Sequence, residues 1–457
     1  MNWEQLLSSE RIGGPSITPS IDVRSPFECD VDRVIFSGAF RRLAGKTQVH
    51  PFSGNDHIHN RLTHSLEVAR VGRSLGKSVG KRLGDKLPKG ISAFDLGAIV
   101  QAACMAHDLG NPPFGHAGES AMEQWFQSLG SRYLEHLSPD YRRDVTLFDG
   151  NAQGFRMITQ TENYLWDGGL RLTYPTLGAF LKYPWTSREA GSDHKFGAFL
   201  TEEPILDKVA KKLGLVRDQK RNRWCRHPLA FLAEAADDIC YSVIDLEDAV
   251  ALGVYSYKKA RRILLNGLNK KTRKTLEPWV KDEDAYRIGF TRMRGPVFAC
   301  LVSAVVEAFF KNYDAIMAGN AEKGLIASLS PDDPCRLLVE RAKEAGKKEI
   351  YPTPHKAEIE LGCFSTFDCL MDAHCGAGVE YAEHLNSKRG ETFITWRASL
   401  VLKLLGRHAP NRQNAPPGSQ WCKYQCLRRM VDYVSGMTDD YAVYVSEKLR
   451  GRTTGRA

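Results

Sequence analysis

Three mostly apolar segments each carry side chains of a kind that core packing does not call for. NRLTHSLEVAR (60–70) holds His64 within a helical periodicity. AHDLGNPPFGHAGE (106–119) places His107 four residues after Ala103, on what should be a buried face, and follows it with Asp108. EAADDICYSVIDLEDA (234–249) sets Asp237 and Asp238 among Ala, Ile and Cys. A lone histidine on an apolar helix is most often a satisfied core residue, but an adjacent carboxylate is expensive to bury unless something pairs with it. His64, His107, Asp108 and an aspartate of the third segment together make a metal-ligand set. Imidazole and carboxylate donors suit a divalent ion: Mg²⁺ or Mn²⁺ first, with Ni²⁺, Co²⁺, Fe²⁺ or Zn²⁺ also compatible. Four protein ligands leave positions open for water and a substrate oxygen. The competing reading is a buried ion-pair cluster between helices. No Lys or Arg lies among the apolar positions beside Asp108 or Asp237, which argues against it.

Helices must hold these side chains, and the pattern supplies them. From Asn60, a natural N-cap, to Leu83, apolar residues recur at three- and four-residue steps (Leu62, Leu66, Ala69, Leu75, Val79, Leu83). Ser92 to Asp108 has Leu96, Ile99, Val100 and Ala103 on one side and stops at Gly110-Asn111-Pro112-Pro113. Pro228 to Leu252 has Leu232, Ala236, Ile239, Val243, Leu246 and Val250. Alternating patterns are few, TQVHPF (47–52) and ETFITW (391–396) being the best strand candidates. Polar, basic stretches at 185–227 and 331–356 read as long loops or insertions, of the kind that often carries function. PNRQNAPPGSQ (410–420) reads as irregular. The expected fold is mainly α, one compact body with a helical C-terminal half and few short strands.

Composition narrows the class. Hydrophobic content of 42% and charged content of 26% over 457 residues fit a soluble globular protein with a large core. MNWEQLLSSERIGG lacks the basic and apolar regions of a secretory signal. VFACLVSAVVEAFF (297–310) is short for a membrane span and contains Glu307, so a buried helix is expected and no membrane partner. Eleven cysteines are scattered without a C-x-x-C pair, several in apolar segments (Cys104, Cys240, Cys300). Buried, reduced thiols and a cytoplasmic location follow. The net charge of +9 is uneven: residues 401–457 hold ten Lys/Arg against four Asp/Glu, an excess of six. Such a tail attracts polyanions or serves as a solvated face.

The order H…HD…D resembles the HD-domain phosphohydrolases, and within them the deoxyguanosine triphosphate triphosphohydrolase (dNTP triphosphohydrolase) family. The resemblance rests on FRRLAGKTQV (40–49), NRLTHSLEVAR, AHDLGNPPFGHAGE, LRLTYPTLGAFLKYPW (170–185), AEAADDICYSVIDLEDAV (233–250) and SGMTDDYA (435–442), which span most of the chain. It implies an HD helical-bundle core over residues 1–260, carrying the 185–227 insertion. A helical region over 261–457, ending in the basic tail 401–457, is expected to pack on it.

The resemblance also implies roles. His64, His107, Asp108 and Asp237 would bind the metal, Asp237 rather than Asp238 because family members keep ligand and tyrosine four apart, as Asp237 and Tyr241 are. His116 and Glu119 match the family's catalytic pair. The reaction is attack of water on the α-phosphorus of a dNTP, with dGTP the favoured base, releasing deoxynucleoside and inorganic triphosphate. Arg61 matches a phosphate-contacting arginine. Gln48 resembles the position that hydrogen-bonds the 3′-hydroxyl, Tyr241 would stack beneath the sugar, and Lys182 and Tyr183 match a substrate-side block. Asn111 stands where animal relatives carry a histidine, which agrees with the bacterial group. A nucleotide effector, single-stranded DNA and a symmetric homo-oligomer, a hexamer above all, are the partners the family suggests. The rival readings are another HD phosphohydrolase, acting on 5′-nucleotides, cyclic nucleotides or guanosine tetraphosphate, and a single-stranded-DNA-binding protein with a regulatory HD site. The first shares H…HD…D but lacks the NPPFGHAGE extension.

Overall fold

The computed structural model describes residues 1–14, 23–49, 57–162, 168–387, 393–418 and 420–452. The chain is mainly α-helical, and the one sheet among the described residues is a two-stranded hairpin, Arg217–Asp218 against Arg223–Trp224. Helix Arg61–Leu83 starts at Asn60, whose side chain accepts the Thr63 N–H while Thr63 answers it. Helix Ala93–Ala106 starts at Ser92 with the same reciprocal arrangement through Asp95. It ends at Ala106, earlier than its pattern suggested, so His107 is its C-cap and Asp108 lies in the turn beyond. Ala230–Ala251 is the third helix of the set.

Gly72, Gly76 and Gly80 bring the first two together. They recur every four residues on one face, and a Cβ on them would lie 2.5 Å from Cys104 Sγ, 2.5 Å from the Leu96 carbonyl and 2.7 Å from Ala93 Cα. Only bare backbone lets the two axes approach so closely. His64, two turns before Gly72 on this helix, is thereby delivered against the end of the neighbouring helix, its ring centroid 5.4 Å from that of His107.

Two hydrophobic clusters carry most of the core. One gathers residues from Trp3 to Ile350 and encloses the three helices above. The other runs from Phe114 to Val445, where helix Pro354–Asn386 packs against helices His116–Gln127 and Gln420–Ser435. Both draw on residues on either side of position 260.

Several local expectations change. Leu66 is 40% exposed, because the helix turns that edge away from its neighbours. TQVHPF contributes only an isolated bridge, Thr47 to Asn60, with residues 50–52 outside those described. In ETFITW, residues 393–395 are irregular, Trp396 opens a helix, and 391–392 lie outside those described. The basic stretches are not loops. Residues 185–227 contain helix Glu203–Lys212 and the hairpin, and 331–356 contain helix Pro334–Ala345. In the latter, Leu338, Val339, Ala342 and Ala345 form a buried stripe that the flanking charges had masked. The 297–310 run lies within helix Tyr286–Lys311, which by length and composition could cross a membrane. Here Val297, Leu301, Val305 and Phe309 are buried as one stripe, and Glu307 pairs with Arg82 at 2.5 Å. All eleven cysteines are free, with Cys104 and Cys240 buried and Cys300 only partly so.

Candidate active site

The three helices meet at the floor of a cavity of about 360 Å³. His64 is 1% exposed and its Nε2 lies 3.1 Å from Asp237 Oδ1. His107 Nε2 is 3.7 Å from the same oxygen. His107 Nδ1 is 2.5 Å from the Cys104 carbonyl, which holds the proton there and leaves Nε2 to face His64 and Asp237. The ligand atoms of His64, His107 and Asp237 all fall within 4.8 Å of one another, and this is the one such group of metal-ligand types among the described residues. Two imidazoles and a carboxylate at that spacing fit a divalent cation. Burial works against the charge of Asp237, but the hydrogen bond from His64 and the positive fields of His107, His64 and Lys182 hold its carboxyl well below the usual range.

Asp108 is placed differently. Its Oδ2 accepts a 2.8 Å hydrogen bond from Arg61 Nη1, its Oδ1 accepts one from the Asn111 amide, and that Oδ1 is 3.6 Å from His107 Nε2. Although burial opposes it, the Arg61 guanidinium keeps Asp108 ionised below its ordinary range. An arginine therefore does stand beside Asp108, supplied by another helix that adjacency in sequence could not reveal. Asp238, next to Asp237, points away and pairs with Lys343 Nζ at 2.6 Å.

The second half of AHDLGNPPFGHAGE lines the same cavity. Gly110 permits the turn: a Cβ there would lie 2.1 Å from both the Gly150 carbonyl and the Gly154 nitrogen. The chain then passes Phe114 and Gly115, both at positive φ (61° and 59°), and enters helix His116–Gln127. Its first residue, His116, has a side chain 88% exposed, with Nδ1 2.8 Å from Glu119 Oε2. Glu119 is 8% exposed and its Oε1 accepts the Gly150 N–H at 2.9 Å. Burial pushes this carboxyl up, yet the hydrogen bond and charge of His116 bring it below its ordinary value.

The remaining expected residues line the same cavity: Gln48, Arg61, Lys182, Tyr183 and Tyr241. Gln48 Oε1 and Arg61 Nε are buried with no hydrogen-bond partner among the described residues. Lys182 Nζ sits 3.3 Å from Glu234 Oε1; burial lowers its affinity for a proton, and the Glu234 charge more than restores it. Among the lining residues that sequence reasoning missed are Lys195, Glu234, Tyr351 and Lys356. Three of them lie in the two polar stretches, whose composition was the only signal. Tyr351 extends a chain of hydroxyls. Tyr241 meets Tyr351, and Tyr351 donates to Asp245 Oδ2 at 2.8 Å. Burial pushes Asp245 up to about 7.

Comparison with known proteins agrees with this geometry. The HD domain family model matches residues 61–141. The chain is 43% identical over 460 residues to a deoxyguanosinetriphosphate triphosphohydrolase-like protein of Pseudomonas aeruginosa, covering 99% of this chain and 100% of that protein. It is 35% identical over 469 residues to a protein of the same description from Synechocystis, covering 99% of each. It is 30% identical over 506 residues to the deoxyguanosinetriphosphate triphosphohydrolase of Klebsiella pneumoniae, covering 97% of this chain and 96% of that protein. With an HD model over the helices that carry His64 and His107, and relatives matched end to end, the chain belongs to the HD-domain deoxyguanosine triphosphate triphosphohydrolase family.

Proposed function

We propose that the protein hydrolyses deoxynucleoside triphosphates at the α-phosphorus to deoxynucleoside and inorganic triphosphate, using a divalent metal held by His64, His107 and Asp237 with Asp108 beside them. The observation carrying this reading is that one cavity is lined by both groups the chemistry needs: three metal-type ligand atoms within 4.8 Å of one another, and the hydrogen-bonded His116–Glu119 pair. A bound Mg²⁺ or Mn²⁺ would supply Lewis-acid polarisation of the phosphate and of a water.

The chain's own groups do the rest. Arg61, Lys182, Lys195 and Lys356 surround the cavity with positive charge suited to a triphosphate. Glu119, fixed by Gly150, accepts the hydrogen bond of His116 Nδ1–H and stabilises the imidazolium, whose Nε2–H gives its proton to the departing 5′-oxygen and leaves the neutral imidazole. Gln48 Oε1 offers an acceptor to the 3′-hydroxyl. The Tyr241 ring, braced by Tyr351, crowds the sugar where a 2′-hydroxyl would sit. Names of relatives favour dGTP as the preferred base.

The test is turnover of each dNTP and rNTP, alone and in mixtures, with Mg²⁺ and Mn²⁺ compared. Stimulation in mixtures would identify a nucleotide effector. His116→Ala should abolish turnover with metal still bound, and retained activity would overturn the assignment. A homo-oligomer, a hexamer in this family, is supported by the exposed stripe Trp396, Leu400 and Leu404 (72, 44 and 54%), and sedimentation velocity tests it. Single-stranded DNA binding by the basic tail is best tested by reversing the exposed charges Lys403, Arg407 and Arg412 and measuring the salt slope. Truncation cannot serve, because Leu427, Met430 and Val431 of the tail are core residues.

A further inference from the structure

SGMTDDYA (435–442) lies far from the metal in sequence, and the reading above gives it no task. The structure gives it one. Asp439 opens helix Asp439–Leu449 and is 4% exposed. Its Oδ2 accepts the Thr47 N–H at 2.9 Å and the Thr47 hydroxyl at 2.6 Å, and its Oδ1 accepts the Phe114 N–H at 2.9 Å. One carboxylate thus joins two segments that neither touch it in sequence nor belong to the same element. Thr47 immediately precedes Gln48. Phe114 is a non-glycine residue at positive φ, two residues before His116. Such a backbone persists only where its surroundings hold it.

A second tie runs in parallel. Lys46 Nζ, 2% exposed, donates to the Asn111 carbonyl and to the Ser435 carbonyl, the latter at 2.9 Å. The 46–48 segment, the 111–115 turn and the 435–439 turn are therefore laced together behind the cavity. None of these bonds involves His64, His107 or Asp237.

We infer that Asp439 is a positioning residue that sets the catalytic loop and the sugar-contacting segment in register, by holding Phe114 and Thr47 on the two oxygens of one carboxylate. The inference rests on the roles proposed for His116 and Gln48. An asparagine cannot do the same work. It has one acceptor oxygen, and its amide would face one of the N–H donors. An ångström of drift at His116 costs about a hundredfold in rate.

The test compares Asp439→Asn, Asp439→Glu and Thr47→Val in the full chain, with the best dNTP of the wild type. Asp439→Asn is expected to lower kcat 10- to 100-fold and raise KM, with Mn²⁺ affinity within twofold of wild type. Thr47→Val removes the hydroxyl bond and keeps the N–H bond, so it loosens only the Gln48 side and should raise KM with kcat nearly unchanged. A purely structural role predicts instead a fall in apparent kcat in proportion to the folded fraction, at unchanged KM. If Asp439→Asn does not fold, Asp439→Glu decides: one extra methylene keeps the charge but misplaces both oxygens, and kcat should drop about tenfold. Wild-type kcat in a folded Asp439 variant, or wild-type KM in Thr47→Val, would overturn the inference. Hydrogen exchange separates this from failure of the functional reading. With or without activity, the loss of Asp439 should speed exchange in 43–49 and 111–116 together while leaving 230–251 unchanged, and unchanged protection in both segments would also overturn it.

Discussion

Two adjacent carboxylates with unlike surroundings give a sharp prediction. Asp237 Oδ1 lies 3.1 Å from His64 Nε2 and 3.7 Å from His107 Nε2, whereas Asp238 pairs with Lys343 on a partly exposed face. Asp238→Asn removes an ion pair whose partners are 41% and 30% accessible, a contact worth about 0.2–1 kcal/mol. It should leave metal affinity unchanged. Asp237→Asn removes the anionic donor of the cluster. Loss of a supporting outer-shell partner already costs about 10- to 100-fold in metal affinity, so loss of the donor itself should cost about 100-fold or more. Thermal and denaturant unfolding with Mn²⁺ converts this to stability. At a concentration 100 times the wild-type Kd, binding stabilises by about 2.7 kcal/mol, and a Kd weakened 100-fold leaves about 0.4 kcal/mol. Wild type and Asp238→Asn should therefore show the full Mn²⁺-induced gain and Asp237→Asn almost none. The reverse pattern, or a full gain in Asp237→Asn, would refute the assignment of the ligand.

The other predictions concern the frame around the site. Gly110→Ala forces a Cβ against the backbone of Gly150 and Gly154, both at 2.1 Å, so it should cost about 3 kcal/mol and most of the activity, measured by urea unfolding and turnover. Arg156, 2% exposed, bonds Glu202 at 2.6 Å and Asp432 at 2.8 Å; Arg156→Met strands two buried carboxylates and should cost about 3–5 kcal/mol in the same unfolding assay. Burial raises Asp432, but the Arg156 charge brings it down to about 2 from its ordinary 3.8, so folding binds fewer protons than the unfolded chain in that window. The resulting stability of about 2 kcal/mol is present above pH 4 and lost as pH falls toward 2. The stability difference between wild type and Asp432→Asn should shrink accordingly. Tyr351→Phe removes the hydroxyl between Tyr241 and Asp245, and should lower stability by about 1 kcal/mol and relax discrimination against rNTP by up to about tenfold, read from paired kcat/KM values.

What the sequence disclosed was what local chemistry encodes. Asn60 announced its helix through a cap that acts within one turn, and the Ser92–Asp108 helix was announced by its apolar spacing. The third helix was marked by an apolar periodicity that its two aspartates interrupt. His64, His107 and the Asp237–Asp238 pair were visible because ligand-type residues on apolar faces demand a reason; the family resemblance singled out Asp237, and it is Asp237 that converges with the two histidines. Long-range partnerships were not visible. The Arg61–Asp108 pair spans 47 positions and the Asp439 ties span 325 and 392, distances over which composition carries no information. Helix Pro334–Ala345 was hidden because its arginines, lysine and glutamates dominate the average while its buried stripe is narrow. Tyr351 and Lys356 stood within that misread stretch and reach the cavity only through the fold.

The central claim is cleavage at the α-phosphorus by the two groups that line this cavity. The most direct measurement is product analysis of dGTP turnover in ¹⁸O-labelled water, with nucleosides and phosphates separated and the phosphates analysed by mass. The account predicts deoxyguanosine and inorganic triphosphate in equal amounts, with the solvent oxygen in the triphosphate. Pyrophosphate or orthophosphate as the first product, or label in the nucleoside, would contradict it.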